Sequence, residues 1–91
     1  MDEVAQSPAP ELTRQVTRGV CRYLCDLGFS VMTEFTLRNG RRADVIGLGA
    51  DGSVVIVEVK VSVADLRADQ KWPDYEEFCD QLYFAAPPDF P

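Results

Sequence analysis

The run SVVIVEVKV, from Ser53 to Val61, constrains this chain more than any other segment. Val and Ile fill nearly every position, so both faces of the expected strand are apolar. Such a strand belongs in the middle of a sheet that is covered on both sides. Two charged residues interrupt it, Glu58 and Lys60. Positions i and i+2 of a strand share a face, so this carboxylate and ammonium end the surface that Val54 and Ile56 begin. Charges at the end of a buried strand need partners or a ligand.

The flanking segments fall into place around that strand. Pro10 suits a first helical position and Glu11 complements the helix N-terminus. Leu12, Val16, Val20, Leu24 and Leu27 then recur at helical spacing up to a stop at Gly28. A second stripe, Arg14, Arg18 and Arg22, is compatible with a solvated face or with tracking of phosphates. Alternation over Phe29 to Leu37 predicts a first strand, and Asn39-Gly40 a two-residue hairpin turn. A second strand over Arg42–Leu48 follows, with a turn at Ala50-Asp51-Gly52. Ser62-Val63-Ala64-Asp65 has capping-box spacing and opens a short helix to about Gln70. Beyond Pro73 a helix is expected over roughly Asp74–Gln81, then a last strand over Leu82–Ala86. The order is αβββαβ: one domain over residues 10–91, behind a tail at residues 1–9 expected to be disordered.

Composition narrows the class. With 91 residues and 46% hydrophobic side chains, the chain reads as one small globular domain. No apolar stretch approaches a membrane span, and the acidic start Met1-Asp2-Glu3 speaks against a secretory signal, so a cytoplasmic protein is expected. Cys21, Cys25 and Cys79, with no histidine, argue for reduced core thiols and against zinc. A net charge of −6 sits poorly with phosphate binding. The imbalance is local, however: the acidic excess lies in residues 1–11 and 61–91, and residues 12–60 are slightly basic.

Hairpin register decides whether Glu58 and Lys60 gain a third partner. A three-residue loop at Ala50-Asp51-Gly52, with Gly52 in the left-handed position, pairs residue 49 with 53 and hence Asp44 with Glu58. A two-residue Asp51-Gly52 loop would send Asp44 to the other face. By the same reasoning, a two-residue turn at Asn39-Gly40 pairs Phe35 with Asp44 and turns Glu34 away. Two adjacent carboxylates repel, which raises one pKa unless a cation intervenes. Mg²⁺ (or Mn²⁺) takes one or two carboxylates together with waters and phosphate oxygens. Asp44 and Glu58 are therefore the expected ligands, with the Val59 carbonyl as a further one, and Lys60 is expected to orient a water or stabilise charge. Arg42 as a simple partner for Asp44 at a sheet edge is the plainer alternative.

These residues carry a resemblance. Gly40-Arg41-Arg42-Ala43-Asp44-Val45 and Val57-Glu58-Val59-Lys60 resemble the core of the restriction-endonuclease-like PD-(D/E)XK fold. Arg18-Gly19-Val20-Cys21-Arg22, Ala64-Asp65, Asp69-x-Lys71-Trp72, Tyr75 and Phe78-Cys79-Asp80-x-Leu82-Tyr83-Phe84-Ala85 are similar to the MmcB family of bacterial DNA repair proteins. The resemblance covers roughly residues 12–91, and family members continue beyond the position of Pro91. It implies an α/β fold with a mixed sheet flanked by helices on both faces. It also implies a DNA endonuclease of repair or damage-induced mutagenesis, with Asp44, Glu58 and Lys60 as its catalytic set. A non-catalytic subunit for DNA binding or protein interaction, retaining the nuclease fold, is the alternative. Arg41, Arg42 and Lys71 are candidates to grip phosphates, each also compatible with a rim role. Trp72 can stack on a base or cap the core.

Overall fold

The computed structural model describes residues 9–89. Of the tail expected at residues 1–9, all but the backbone of Ala9 lies outside this range. Helix α1 (Ala9–Asp26) is followed by strands β1 (Ser30–Thr36), β2 (Arg42–Leu48) and β3 (Val54–Val59). Helices α2 (Val63–Ala68) and α3 (Pro73–Glu76) then lead to β4 (Gln81–Ala85). The sheet order is β1-β2-β3-β4, antiparallel except for the parallel β3/β4 pair. The αβββ start, the two short helical segments before β4 and the central place of the Val/Ile strand are as the sequence predicts.

Local chemistry explains the boundaries. Gly28 takes φ 98°, its N–H donates to Cys25 O (3.0 Å), and the Phe29 N–H donates to Leu24 O (3.0 Å). That left-handed stop satisfies the last carbonyls of α1 and folds Phe29 back onto Leu24. Ser62 caps α2 by accepting from the Asp65 N–H, as the capping-box spacing predicts. The helix expected over Asp74–Gln81 is shorter, ending at Glu76. Asp80 is instead recruited to the sheet: Val54 N–H donates to its carboxylate (2.7 Å) and its own N–H donates to Val54 O (2.8 Å).

Both faces of the sheet are covered. On one, Leu24 of α1 packs with Val45, Val55 and Val57. On the other, Tyr75 of α3 packs with Leu37, Ala43, Ile46 and Ile56. Ile56 and Val45 are the largest fully buried side chains. Among the described residues, no helix is long and apolar enough to cross a membrane.

The two hairpins turn out alike. Gly49 pairs with Ser53 around the three residues Ala50-Asp51-Gly52, and Gly52 takes φ 88°. The odd-length loop is therefore present. No atom lies within 4 Å of where a Cβ would sit on Gly52, so substitution there meets only backbone strain. Gly52→Ala should cost about 1–2 kcal/mol, read as a lower urea midpoint at unchanged m value.

The first hairpin corrects the sequence reading. Leu37 pairs with Arg41 around Arg38-Asn39-Gly40, with Gly40 at φ 90°. A two-residue turn would need a positive φ at Asn39 as well, and Asn39 has none. Its amide is engaged elsewhere, accepting from Arg41 N–H (3.0 Å) and donating to Asp74 O (2.9 Å). Phe35 consequently pairs with Ala43, not with Asp44. Continuing the register puts Glu34 across from Asp44, where Glu34 adopts a left-handed φ of 52°. The separation of Glu34 from Asp44 is thus overturned.

Candidate functional site

The β2–β3 ladder runs from Leu48↔Val54 to Val45↔Val57, and the next opposed residues are Asp44 and Glu58. There the carboxylates replace the ladder. Asp44 N–H donates to Glu58 Oε2 (2.9 Å), and Val59 N–H donates to Asp44 Oδ2 (2.8 Å). Each carboxylate is therefore oriented by the backbone of the opposite strand. Glu58 is buried at 5% exposure, and Asp44 is half-buried.

Burial pushes the Glu58 carboxyl above its usual range, and the neighbouring Asp44 charge adds to the rise. The Asp44 N–H and the Lys60 ammonium oppose it in part. Tyr75 closes the other side. Its hydroxyl donates to Arg42 O (3.2 Å), and its pKa is pushed up to about 12, by burial first and then by the Glu58 and Asp44 charges. Two carboxylates share the site, as expected, and the more buried one carries the cost.

Lys60 follows β3, its N–H bonded to Ala85 O (2.8 Å). Its side chain is only 13% exposed and its ammonium lies 2.5 Å from Asp69 Oδ2 and 5.9 Å from the centre of the Phe84 ring. Asp69 is a participant that the sequence reading did not single out. Burial raises its pKa, but the Lys60 ammonium and the N–H groups of Lys71 and Trp72 outweigh that and hold it below the usual value. A buried lysine requires a counter-charge, yet six other carboxylates follow Lys60. The clue to Asp69 was its spacing, an Asp able to accept from N–H groups two and three residues on. Tyr75 enters the sequence analysis only through the family resemblance, with no role at the site.

Asp44, Glu58 and Lys60 line one polar depression of about 420 Å³ together with Arg41, Arg42 and Lys71. Arg41 reaches it already paired, its Nε 2.8 Å from Asp74 Oδ2. Asp74 and Asp80, both in the acidic 61–91 segment, are thus bonded groups. Trp72 is not part of this depression. It is 41% exposed, with its backbone N–H bonded to Asp69 Oδ1 (3.1 Å). On the α1 side, Asp44 also borders a second depression with Arg18, Thr17 and Glu34. A separate apolar depression between α1 and the β3–β4 edge, lined by Val20, Tyr23, Val55 and Tyr83, has no carboxylate, thiol, lysine or arginine side chain among its described lining residues.

Among the described residues, no three His, Cys, Asp or Glu converge as a closed metal cage. The donor set is two carboxylates beside an open polar depression. Such a set does not suit zinc, and it fits Mg²⁺, which keeps several waters and substrate oxygens.

A family model described as DNA repair protein MmcB-like matches residues 2–91. The chain belongs to this family. Among solved structures, this MmcB-like chain is similar to SPO1766, a protein of unknown function from Silicibacter pomeroyi. That likeness has a TM-score of 0.81 at 41% identity and covers 88% of this chain and 55% of that one. The chain thus spans little more than half the length of that relative. A repair endonuclease from Pyrococcus abyssi also matches, at 20% identity with a TM-score of 0.45, over 87% of this chain and 37% of that one. No curated protein sequence matches the chain.

Proposed function

We propose that this MmcB-like chain is a metal-dependent DNA phosphodiesterase of the PD-(D/E)XK type, acting as an endonuclease in repair or damage-induced mutagenesis. The observation that carries the reading is the crossed pair Asp44 and Glu58. Two carboxylates are held face to face by each other's backbone, at the end of a buried strand and beside the Lys60 ammonium. Asp44 and Glu58, with the Val59 carbonyl, would hold Mg²⁺ or Mn²⁺. When bound, that ion supplies Lewis-acid polarisation of the phosphate and neutralises developing charge.

The chain's own groups do the rest. Glu58 and Asp44 keep their oxygens aimed because main-chain N–H groups hold them. Lys60, paired with Asp69, orients the attacking water and stabilises negative charge on the phosphorus oxygens. The water oxygen bonds to phosphorus as the bond to the leaving sugar oxygen breaks; one water proton passes to solvent and the sugar oxygen takes a proton from solvent, leaving a phosphate monoester and a hydroxyl end. Arg41, Arg42 and Lys71 grip the flanking phosphates, so affinity should fall steeply with salt.

A second reading, a non-catalytic DNA-binding or protein-interaction subunit, draws on the acidic 61–91 segment, whose Asp69 and Asp74 already pair with Lys60 and Arg41. A nuclease panel over single-stranded, duplex and branched DNA with Mg²⁺ or Mn²⁺ separates the two. The expected result is cleavage by the wild type and its loss in Glu58→Ala and Lys60→Ala. Equal cleavage by all three proteins would assign the activity to a contaminant. A wild type that binds DNA without cutting it favours the second reading.

A further inference from the structure

Lys60 is held by a single buried group. The Asp69 side chain is 1% exposed, and its two oxygens have separate tasks. Oδ1 accepts the N–H groups of Lys71 (2.8 Å) and Trp72 (3.1 Å), which fixes the connection between α2 and α3. Oδ2 is buried and faces the Lys60 ammonium at 2.5 Å; no other donor among the described residues serves it. A carboxylate needed only to shape that connection has no reason to aim its second oxygen at the lysine. Asparagine would accept the same two N–H groups without a buried charge.

The segment that carries Asp69 is weakly anchored otherwise. Helix α2 buries none of its side chains, and Leu66 is 37% exposed. Its lysine contact is therefore a principal tie between this connection and the sheet. From the sheet side, the same contact restricts a long, flexible side chain that lines the depression shared with Glu58 and Asp44. Restricting a catalytic cation before substrate arrives lowers the entropy lost at the transition state.

We propose that Asp69 is a positioning residue for Lys60, a buried counter-ion that sets the direction of the ammonium toward the scissile phosphate. This rests on the phosphodiesterase reading above for its consequence in catalysis, but not for the contact itself. The neutral variant Asp69→Asn separates the two tasks, since it retains the acceptor for Lys71 and Trp72 and removes the charge. Partners that orient a site's primary groups typically contribute about 10–100-fold in activity.

Two measurements on the full chain test the inference. The first is cleavage of fluorescent DNA oligonucleotides with Mn²⁺ by wild type, Asp69→Asn, Asp69→Glu, Lys60→Ala and the double variant Asp69→Asn/Lys60→Ala. We expect kcat to fall about 10–100-fold in Asp69→Asn, a partial recovery in Asp69→Glu, and no further loss when Asp69→Asn is added to Lys60→Ala. A kcat equal to or above wild type in Asp69→Asn overturns the proposal, because Asp69 would then be withholding Lys60 from phosphate. An equal loss in the Lys60→Ala background also overturns it, because the role would be structural. The second measurement needs no cleavage: acylation of Lys60 relative to Lys71, the chain's other lysine, followed by mass spectrometry. Labelling of Lys60 should rise several-fold in Asp69→Asn, and an unchanged ratio overturns the inference. Failure of the wild type to cut DNA overturns the phosphodiesterase reading, while the labelling ratio still decides whether Asp69 holds Lys60.

Discussion

Glu58→Gln should abolish Mn²⁺ binding and cleavage while raising the melting temperature of the metal-free chain. Loss of a ligand removes the several kcal/mol of charge stabilisation that a metal supplies at the transition state, which corresponds to at least about a 10³-fold fall in rate. The gain in stability has a different origin. Glu58 is buried beside Asp44, and both effects lift its pKa in the folded chain above the value in the unfolded one. A carboxyl raised on folding binds its proton more readily in the native state, so its ionisation destabilises the fold. That cost is absent below the unfolded pKa, near 4.3 for Glu, and grows as pH rises through the folded value. Melting of both proteins in chelator therefore has a defined pattern: near-equal midpoints in acid and a higher midpoint for Glu58→Gln at neutral pH. Excess Mn²⁺ should then stabilise the wild type alone, by about 2.7 kcal/mol at a concentration 100 times the dissociation constant. A variant that melts below the wild type at every pH would show that ionised Glu58 is no burden to the fold. Mn²⁺ binding that survives in the variant would remove the carboxylate pair from the metal site.

The site was legible to the extent that backbone geometry alone controls it. Glu58 lies near the end of β3 and Lys60 continues its line through the bond to Ala85 O, so a spacing of two keeps them at one depression. Asp44 joins them through the Gly52 loop, where Ala-Asp-Gly offers a glycine for the left-handed position. Asn39-Gly40 gave the opposite lesson. The dipeptide favours a two-residue turn in isolation, but the Asn39 amide bonds to Asp74 O, 35 residues away. A tertiary contact thus chose the longer loop and shifted the register by one, which returned Glu34 to the position opposite Asp44. The partners of Lys60 and Glu58 were illegible for the same reason. Asp69 and Tyr75 reach the site from the connection between β3 and β4, whose path depends on short elements held by side-chain contacts rather than by a strong periodic pattern. Local spacing predicts faces and caps. It does not predict which of several carboxylates meets a given lysine.

Ile56→Ala should have the largest effect on stability, about 2–5 kcal/mol for a fully buried branched side chain. Ile56 is 0% exposed, pairs laterally with Ile46 and Leu82, and packs beneath Leu37, Ala43 and Tyr75. Domains have only about 5–15 kcal/mol in total, and one of this size lies toward the lower end. With about 4–8 °C lost per kcal/mol in chains of this length, the melting temperature should fall by roughly 8–40 °C. The milder Ile56→Val removes one methylene and should cost about 0.5–1.5 kcal/mol. Function should respond differently from stability. Ile56 lies two residues before Glu58 on the same face, yet the carboxylates are oriented by main-chain N–H groups and not by that core. Well below its melting temperature, Ile56→Ala should therefore bind Mn²⁺ almost as tightly as the wild type, while Glu58→Gln keeps its fold and loses the ion. Calorimetric titration beside thermal melting distinguishes the two variants. A large loss of Mn²⁺ affinity in still-folded Ile56→Ala would show that packing beneath the strand, and not the crossed backbone bonds, holds the two carboxylates in place.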